Sequence, residues 1–169
     1  MLAGGCGTGI LAVSAVRSGG DVRTIVTVAV LAVPLLITLF TDLRARLVFP
    51  AVLGPAIVVA LAIAATGPEG MLPALGSGAG AASVTALLVV LSRRIWSGGE
   101  PPLGSGDILI TAAIGVTLGP DDTPRVLFTG MILAAVAAAL LLLMGRARRD
   151  DLIPYGAFLC GSALIALAL

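Results

Sequence analysis

Charged residues divide a mostly apolar chain into seven uncharged stretches. These are residues 1–16, 24–41, 47–68, 70–92, 108–120, 126–145 and 152–169. A helix needs about 20 apolar residues to cross a hydrocarbon core of ~30 Å, and most of the stretches approach or exceed that length. The pattern therefore predicts an all-α integral membrane protein, a polytopic bundle of about six or seven transmembrane helices. We expect residues 1–169 to form a single membrane-embedded domain.

Composition limits the chemistry that such a bundle can perform. Hydrophobic residues make up 59% of the chain, and a net charge of +1 argues against nucleic acid as a partner. The ten basic residues are all arginine, and histidine is absent. The absence of His and Lys excludes Ser-His-Asp and Cys-His relays, His-ligated metals and Ser-Lys dyads. Carboxylates remain as the reactive groups, and we expect neither a metal nor a cofactor.

Arginine placement predicts the orientation of the chain. One set of loops, which follows the second, fourth and sixth stretches, holds Arg44, Arg46, Arg93, Arg94, Arg146, Arg148 and Arg149, and the other set holds only Arg17, Arg23 and Arg125. Cytoplasmic loops carry the excess of basic residues. The first set is therefore predicted to be cytoplasmic in a plasma membrane, with the N-terminus inside and the C-terminus outside if all seven stretches cross.

Two aspartates are predicted to meet at the cytoplasmic face. Asp42 ends the second stretch and Asp107 begins the fifth, which is too short for the whole hydrocarbon core and so draws Asp107 to the membrane boundary. A carboxylate near hydrocarbon is costly and points to function. Two close carboxylates share one proton, which is what an aspartic protease requires.

Each aspartate also has a purely structural interpretation. Asp42 can be a helix-end charge paired with Arg44 or Arg46, and Asp107 an acid at a helix N-terminus, where the macrodipole favours it. Flanking glycines in GSGD weaken the second interpretation, because a backbone without Cβ atoms allows a substrate strand to approach closely.

Glycines also recur at helix-contact spacing, and we expect close helix packing there. These pairs are Gly5 with Gly9, Gly76 with Gly80, and Gly115 with Gly119.

Three segments in order resemble the type IV prepilin peptidases and the archaeal preflagellin peptidases, which are membrane aspartic proteases with a GxGD signature. They are TDLRAR at 41–46, the Arg-rich loop with GSGD and its following helix at 93–119, and IPYGAFL at 153–159. By this resemblance Asp42 and Asp107 are the catalytic pair. The resemblance further implies an active-site loop of Gly104, Ser105 and Gly106, and a last-span motif that contains Pro154 and Gly156.

The resemblance implies an endopeptidase that cleaves the short basic leader from pilin-like or flagellin-like membrane precursors at the cytoplasmic face. Membrane lipid and the precursor are the expected partners, and the oligomeric state stays open. The chain has no paired CxxC motifs, so it resembles the short, peptidase-only members without a methyltransferase domain.

Two other functions stay open at this point. A catalytically degenerate pilus-assembly protein is suggested by Leu109, where the family commonly has Lys, and by the altered segment VFPA at 48–51. A small proton-coupled transporter could use the aspartates as a relay. Transporters place such groups near the midplane with internal repeats, whereas both acids here are predicted at one face.

Overall fold

The structure, a computed structural model, describes residues 22–45, 48–68, 70–95, 103–145 and 155–168. Every regular element within these ranges is a helix. The helices are α1 (Val22–Ala45), α2 (Pro50–Ala65), α3 (Met71–Ile95), α4 (Ser105–Leu143) and α5 (Tyr155–Ala168). The prediction of an all-α protein is confirmed, and the predicted first span, residues 1–16, lies outside the described ranges.

Helix length and surface character both identify a membrane protein. The segments Ile25–Ala45, Met71–Ile95 and Ser105–Leu143 are long and apolar enough to cross a bilayer, and two further apolar helices are shorter. Large apolar side chains such as Leu72, Leu87 and Phe128 are exposed on the outside of the bundle. Such a surface would be unfavourable in water but suits a hydrocarbon environment.

A break at Gly119 divides α4 into a first arm, residues 105–118, and a second arm, residues 120–143. The φ of Gly119 is 75° and its ψ is −176°, a backbone conformation that residues with a side chain rarely adopt. Pro120 follows directly, and its ring cannot continue the hydrogen bonding of the first arm. The two arms correspond to the separate stretches 108–120 and 126–145 in the sequence.

Contacts with α5 show that the chain reverses direction at this break. Gly156 of α5 lies beside Asp107 in the first arm, and Leu159, one turn along α5, lies beside Gly130 in the second arm. Asp107 and Gly130 would be about 34 Å apart in one straight helix. The two arms therefore fold back on each other at Gly119.

Hydroxyl groups stabilise the reversal. The Ser77 side chain in α3 donates a hydrogen bond of 3.1 Å to Oγ1 of Thr123 in the second arm. The Thr123 hydroxyl in turn donates to the carbonyl oxygen of Gly119. The two bonds link α3 to the first turn of the second arm and that turn to Gly119.

The tightest helix contact joins α3 to the first arm of α4. A Cβ atom on Gly115 would lie 2.7 Å from the carbonyl oxygen of Ser77 and 2.8 Å from Cα of Gly78. The predicted contact at Gly76 and Gly80 is wrong, because a Cβ on either would have no neighbour within 4 Å. Gly78, two positions away on α3, faces the neighbouring helix instead. The pair Gly5 and Gly9 lies outside the described residues.

The core of the bundle leads along α1 to one of the aspartates. The buried positions of α1 follow the i, i+3, i+4, i+7 pattern of one helix face. They are Val28, Leu31, Ala32, Leu35, Thr38 and Asp42. Leu31 and Leu35 of this face pack with Ile110 and Ile114 of α4 and with Leu159 of α5 in one cluster. A carboxylate therefore continues a buried apolar face near the end of α1.

The Gly115 contact predicts a difference between two glycines. Gly115→Ala should lower the free energy of unfolding by about 1–3 kcal/mol, because its Cβ would press against backbone atoms of α3. Gly80→Ala should leave stability unchanged or slightly raised, because its site is open and alanine favours a helix. Thermal unfolding of both purified variants in the same detergent measures the difference, and equal melting temperatures would contradict the packing described.

Candidate active site

Asp42 and Asp107 lie at opposite ends of their helices. Asp42 stands three residues before the end of α1, and Asp107 is the third residue of α4. Both side chains are buried, with exposed fractions of 7% and 8%. Two buried acids in a bundle of this apolar character need specific partners, because burial of an unpaired charge is costly.

Gly156 of α5 brings the two carboxylates to one point. A Cβ atom on Gly156 would lie 3.1 Å from Oδ2 of Asp42 and 3.1 Å from Oδ1 of Asp107. The two oxygens are therefore no farther apart than twice that distance. The same Cβ would lie 2.9 Å from Cδ1 of Ile110, so the site has no space for a side chain at position 156. The pair stands close together only because this residue is glycine.

Each carboxylate accepts a hydrogen bond from a backbone amide at the start of a helix. The N–H of Ala157, in the first turn of α5, donates to Oδ2 of Asp42 over 2.8 Å. The N–H of Gly104, which caps α4, donates to Oδ2 of Asp107 over 2.9 Å. Amides at a helix N-terminus have no partner within the helix, and the helix dipole favours a negative charge there. Two helix N-termini thus hold the pair.

The GSGD segment forms the start of α4. Gly104 is the N-cap in an extended conformation, and Ser105 is exposed at the first helical position. A Cβ on Gly106 would lie 2.6 Å from Cβ of Val48, whereas one on Gly104 would meet nothing closer than 3.9 Å. Close approach therefore occurs at Gly106, where the segment between α1 and α2 packs against the start of α4. Gly104 instead supplies the amide that holds Asp107.

Other predicted positions have a simpler place in the structure. Leu109 is half-buried and packs against the hydrophobic core, a position suited to an apolar side chain. Tyr155 begins α5 and packs against the same core. Pro154 lies outside the described residues. Among the residues that the structure describes, no group of three His, Cys, Asp or Glu side chains is placed to hold a metal ion.

Basic residues flank the end of the bundle that holds the two acids. Arg44 is exposed at the end of α1, and Arg93 and Arg94 are exposed at the end of α3, from which the chain returns to Asp107. At the other end, beyond Gly119, Arg125 forms an exposed ion pair of 3.6 Å with Asp122. Arg44, Arg93 and Arg94 are therefore at helix ends on the side of the bundle that holds the carboxylate pair.

Sequence reasoning named both carboxylates but missed their backbone partners. The amide of Ala157 leaves no trace in side-chain chemistry, since any residue except proline supplies an N–H. The only available signal was the resemblance of 153–159 to the last-span motif, which drew attention to Gly156.

The crowding at Gly156 predicts a specific loss of stability. Gly156→Ala should lower the melting temperature, because its Cβ would push between the two carboxylates and Ile110. Gly161→Ala, five residues further along the same helix, is the matched control, because a Cβ there has no neighbour within 4 Å. Thermal unfolding in one detergent compares the two. Tolerance of both substitutions would show that α5 does not approach the carboxylates as described.

Comparison with known proteins shows which family the sequence of this chain matches. The model of the type IV leader peptidase family matches residues 29–140, a range that includes Asp42, the GSGD segment and Asp107. A prepilin leader peptidase/N-methyltransferase of Legionella pneumophila is 38% identical over 65 residues, which cover 38% of this chain and 23% of that relative. No solved structure matches the chain significantly. Because the family match covers well over half of its length, the chain belongs to the type IV leader peptidase family.

Proposed function

We propose that the chain is a membrane aspartic endopeptidase that removes the short basic leader from type IV pilin-like or flagellin-like precursors. Asp42 and Asp107 are the catalytic pair in this proposal. The observation that carries it is the meeting of two buried carboxylates at Gly156. Membership of the type IV leader peptidase family supports the reaction class.

Two carboxylates at this separation can activate water without any other reactive group. Like charges so close in an apolar environment share one proton. The ionised member takes a proton from water, and the protonated member donates a hydrogen bond to the carbonyl oxygen of the scissile peptide. The water oxygen then attacks the carbonyl carbon, and the leaving amine takes up a proton when the tetrahedral intermediate breaks down. That proton is the one that the ionised aspartate took from water, so the C–N bond breaks with a single proton again shared by the pair.

The amides of Ala157 and Gly104 contribute to this reaction by fixing the geometry. Each binds one Oδ2 atom and so restrains the rotation of the carboxyl group that it holds. Carboxyl groups that are already held in place need not reorient when charge moves during the reaction. Oδ1 of Asp107 and Oδ2 of Asp42 both face Gly156, and the attacking water belongs beside these two atoms.

The proposed substrate fits a site at the cytoplasmic end of a membrane bundle. Arg44, Arg93 and Arg94 lie at helix ends on the side of the bundle that holds the carboxylate pair, and basic residues favour the cytoplasmic side. A precursor with one apolar helix would lie beside the bundle in the plasma membrane, with its leader junction level with the two acids. The proposal is limited to leader cleavage.

Substitution of either aspartate tests the reaction. Asp42→Asn and Asp107→Asn keep the size of the side chain and remove its charge, so cleavage of a tagged pilin precursor from the same genome should fall more than about a hundredfold. Asp122→Asn is the matched control, because Asp122 is exposed at the opposite end of the bundle. Co-expression at matched membrane abundance, followed by a gel-shift assay for leader removal, measures the effect.

The possible outcomes separate the alternatives. Cleavage that survives either active-site substitution would refute the two-aspartate mechanism. Failure of the wild-type protein to cleave any encoded precursor, while it still binds one, would identify an assembly partner instead of a peptidase.

A further inference from the structure

Thr38 has a buried hydroxyl that finds no partner in the part of the chain that the structure describes. Its side chain is 1% exposed, and its Oγ1 atom has no hydrogen-bond partner among the described residues. A buried hydroxyl without a hydrogen bond costs free energy, and such groups are rare in native proteins. The choice of threonine at this position therefore needs a reason that packing alone does not supply.

Two other threonines in the bundle, the buried Thr111 and the half-buried Thr117, have hydroxyls that are bound by their own helix. Thr111 donates to the carbonyl oxygen of Asp107 over 3.0 Å, and Thr117 donates to that of Ala113 over 2.8 Å. Such bonds to the preceding turn are the usual solution for threonine in an apolar helix. The Thr38 hydroxyl does not form one, and it is left to bind something else.

The position of Thr38 connects it with the proposed catalytic pair. Thr38 precedes Asp42 by four residues, so the two lie on the same face of α1, one turn apart. Side chains in a helix tilt toward its N-terminus, which inclines the Asp42 carboxylate toward the turn that holds Thr38. Both residues belong to the buried face of α1. Thr38 is thus the polar group next to Asp42 on the membrane-interior side.

We propose that Thr38 is a positioning residue, which binds a buried water that also donates a hydrogen bond to the Asp42 carboxylate. A buried water needs two to four polar partners. A threonine hydroxyl can donate to that water or accept from it, and an ionised carboxylate accepts. This water would hold the Asp42 carboxylate from the side of Thr38, while the Ala157 amide binds its Oδ2 atom. The effect of Thr38 on catalysis rests on the proposed function. The water shared by Thr38 and Asp42 does not depend on it.

Cleavage kinetics test the role in the reaction. Thr38→Val keeps the shape and removes the hydroxyl, so kcat should fall about tenfold, the effect of one lost hydrogen bond to a charged group, with KM unchanged. Thr38→Ser should restore most of the rate, because it returns the hydroxyl. Thr117→Val is the matched control, because its hydroxyl is satisfied by the backbone. An unchanged kcat in Thr38→Val would overturn the positioning role.

Stability tests the contact without any need for cleavage. Melting temperatures in one detergent are compared for wild type, Thr38→Val, Asp42→Ala and the double variant. A water shared by both residues predicts that Thr38→Val lowers the melting temperature when Asp42 is present and does not lower it in Asp42→Ala. Equal shifts in both backgrounds would overturn the shared water. Coupled stability in a protein that cleaves no precursor would retain the contact and refute the proposed function.

Discussion

Two carboxylates that meet at one glycine inside an apolar bundle determine how its helices are arranged. Neither acid is stable there without hydrogen bonds, and each obtains one from an amide at a helix N-terminus: Ala157 for Asp42 and Gly104 for Asp107. The bundle must therefore bring the end of α1 and the starts of α4 and α5 to one place. The GSGD turn and the missing Cβ at position 156 both follow from this requirement.

The packing far from the acids serves the same arrangement. Gly115 lets α3 and the first arm of α4 approach until their backbones touch, which fixes the depth of Asp107 in the bundle. The reversal at Gly119 then returns the second arm alongside, where Gly130 leaves space for Leu159 of α5. Because α5 is held by this second arm, the position of Gly156 beside the carboxylates depends on a turn at the opposite end of the bundle.

The sequence predicted the parts of this structure that depend on composition and topology. Long apolar stretches predicted membrane helices, and the order of the stretches predicted that Asp42 and Asp107 lie on one side. The all-α bundle is confirmed by the structure, and the family is confirmed by the match of its model. Rotation of a helix about its axis was less accessible: the Gly76 and Gly80 spacing predicted a contact that Gly78 makes instead. In an apolar helix every face resembles the next, so periodicity does not reveal which one meets protein. The catalytic role of the two aspartates stays a prediction.

For the hydrolysis proposed above, the location of the carboxylate pair at the end of the helices avoids a conflict between the reaction and the membrane. Hydrolysis requires water and an extended peptide backbone, and a hydrocarbon core excludes both. The first arm of α4, residues 105–118, spans only about 21 Å, less than the ~30 Å of the core. A helix that is too short draws its N-terminus below the level of its longer neighbours, so Asp107 can be buried and still lie near the aqueous face. The break at Gly119 sets the length of this arm. It thereby helps to determine how deep in the membrane Asp107 lies.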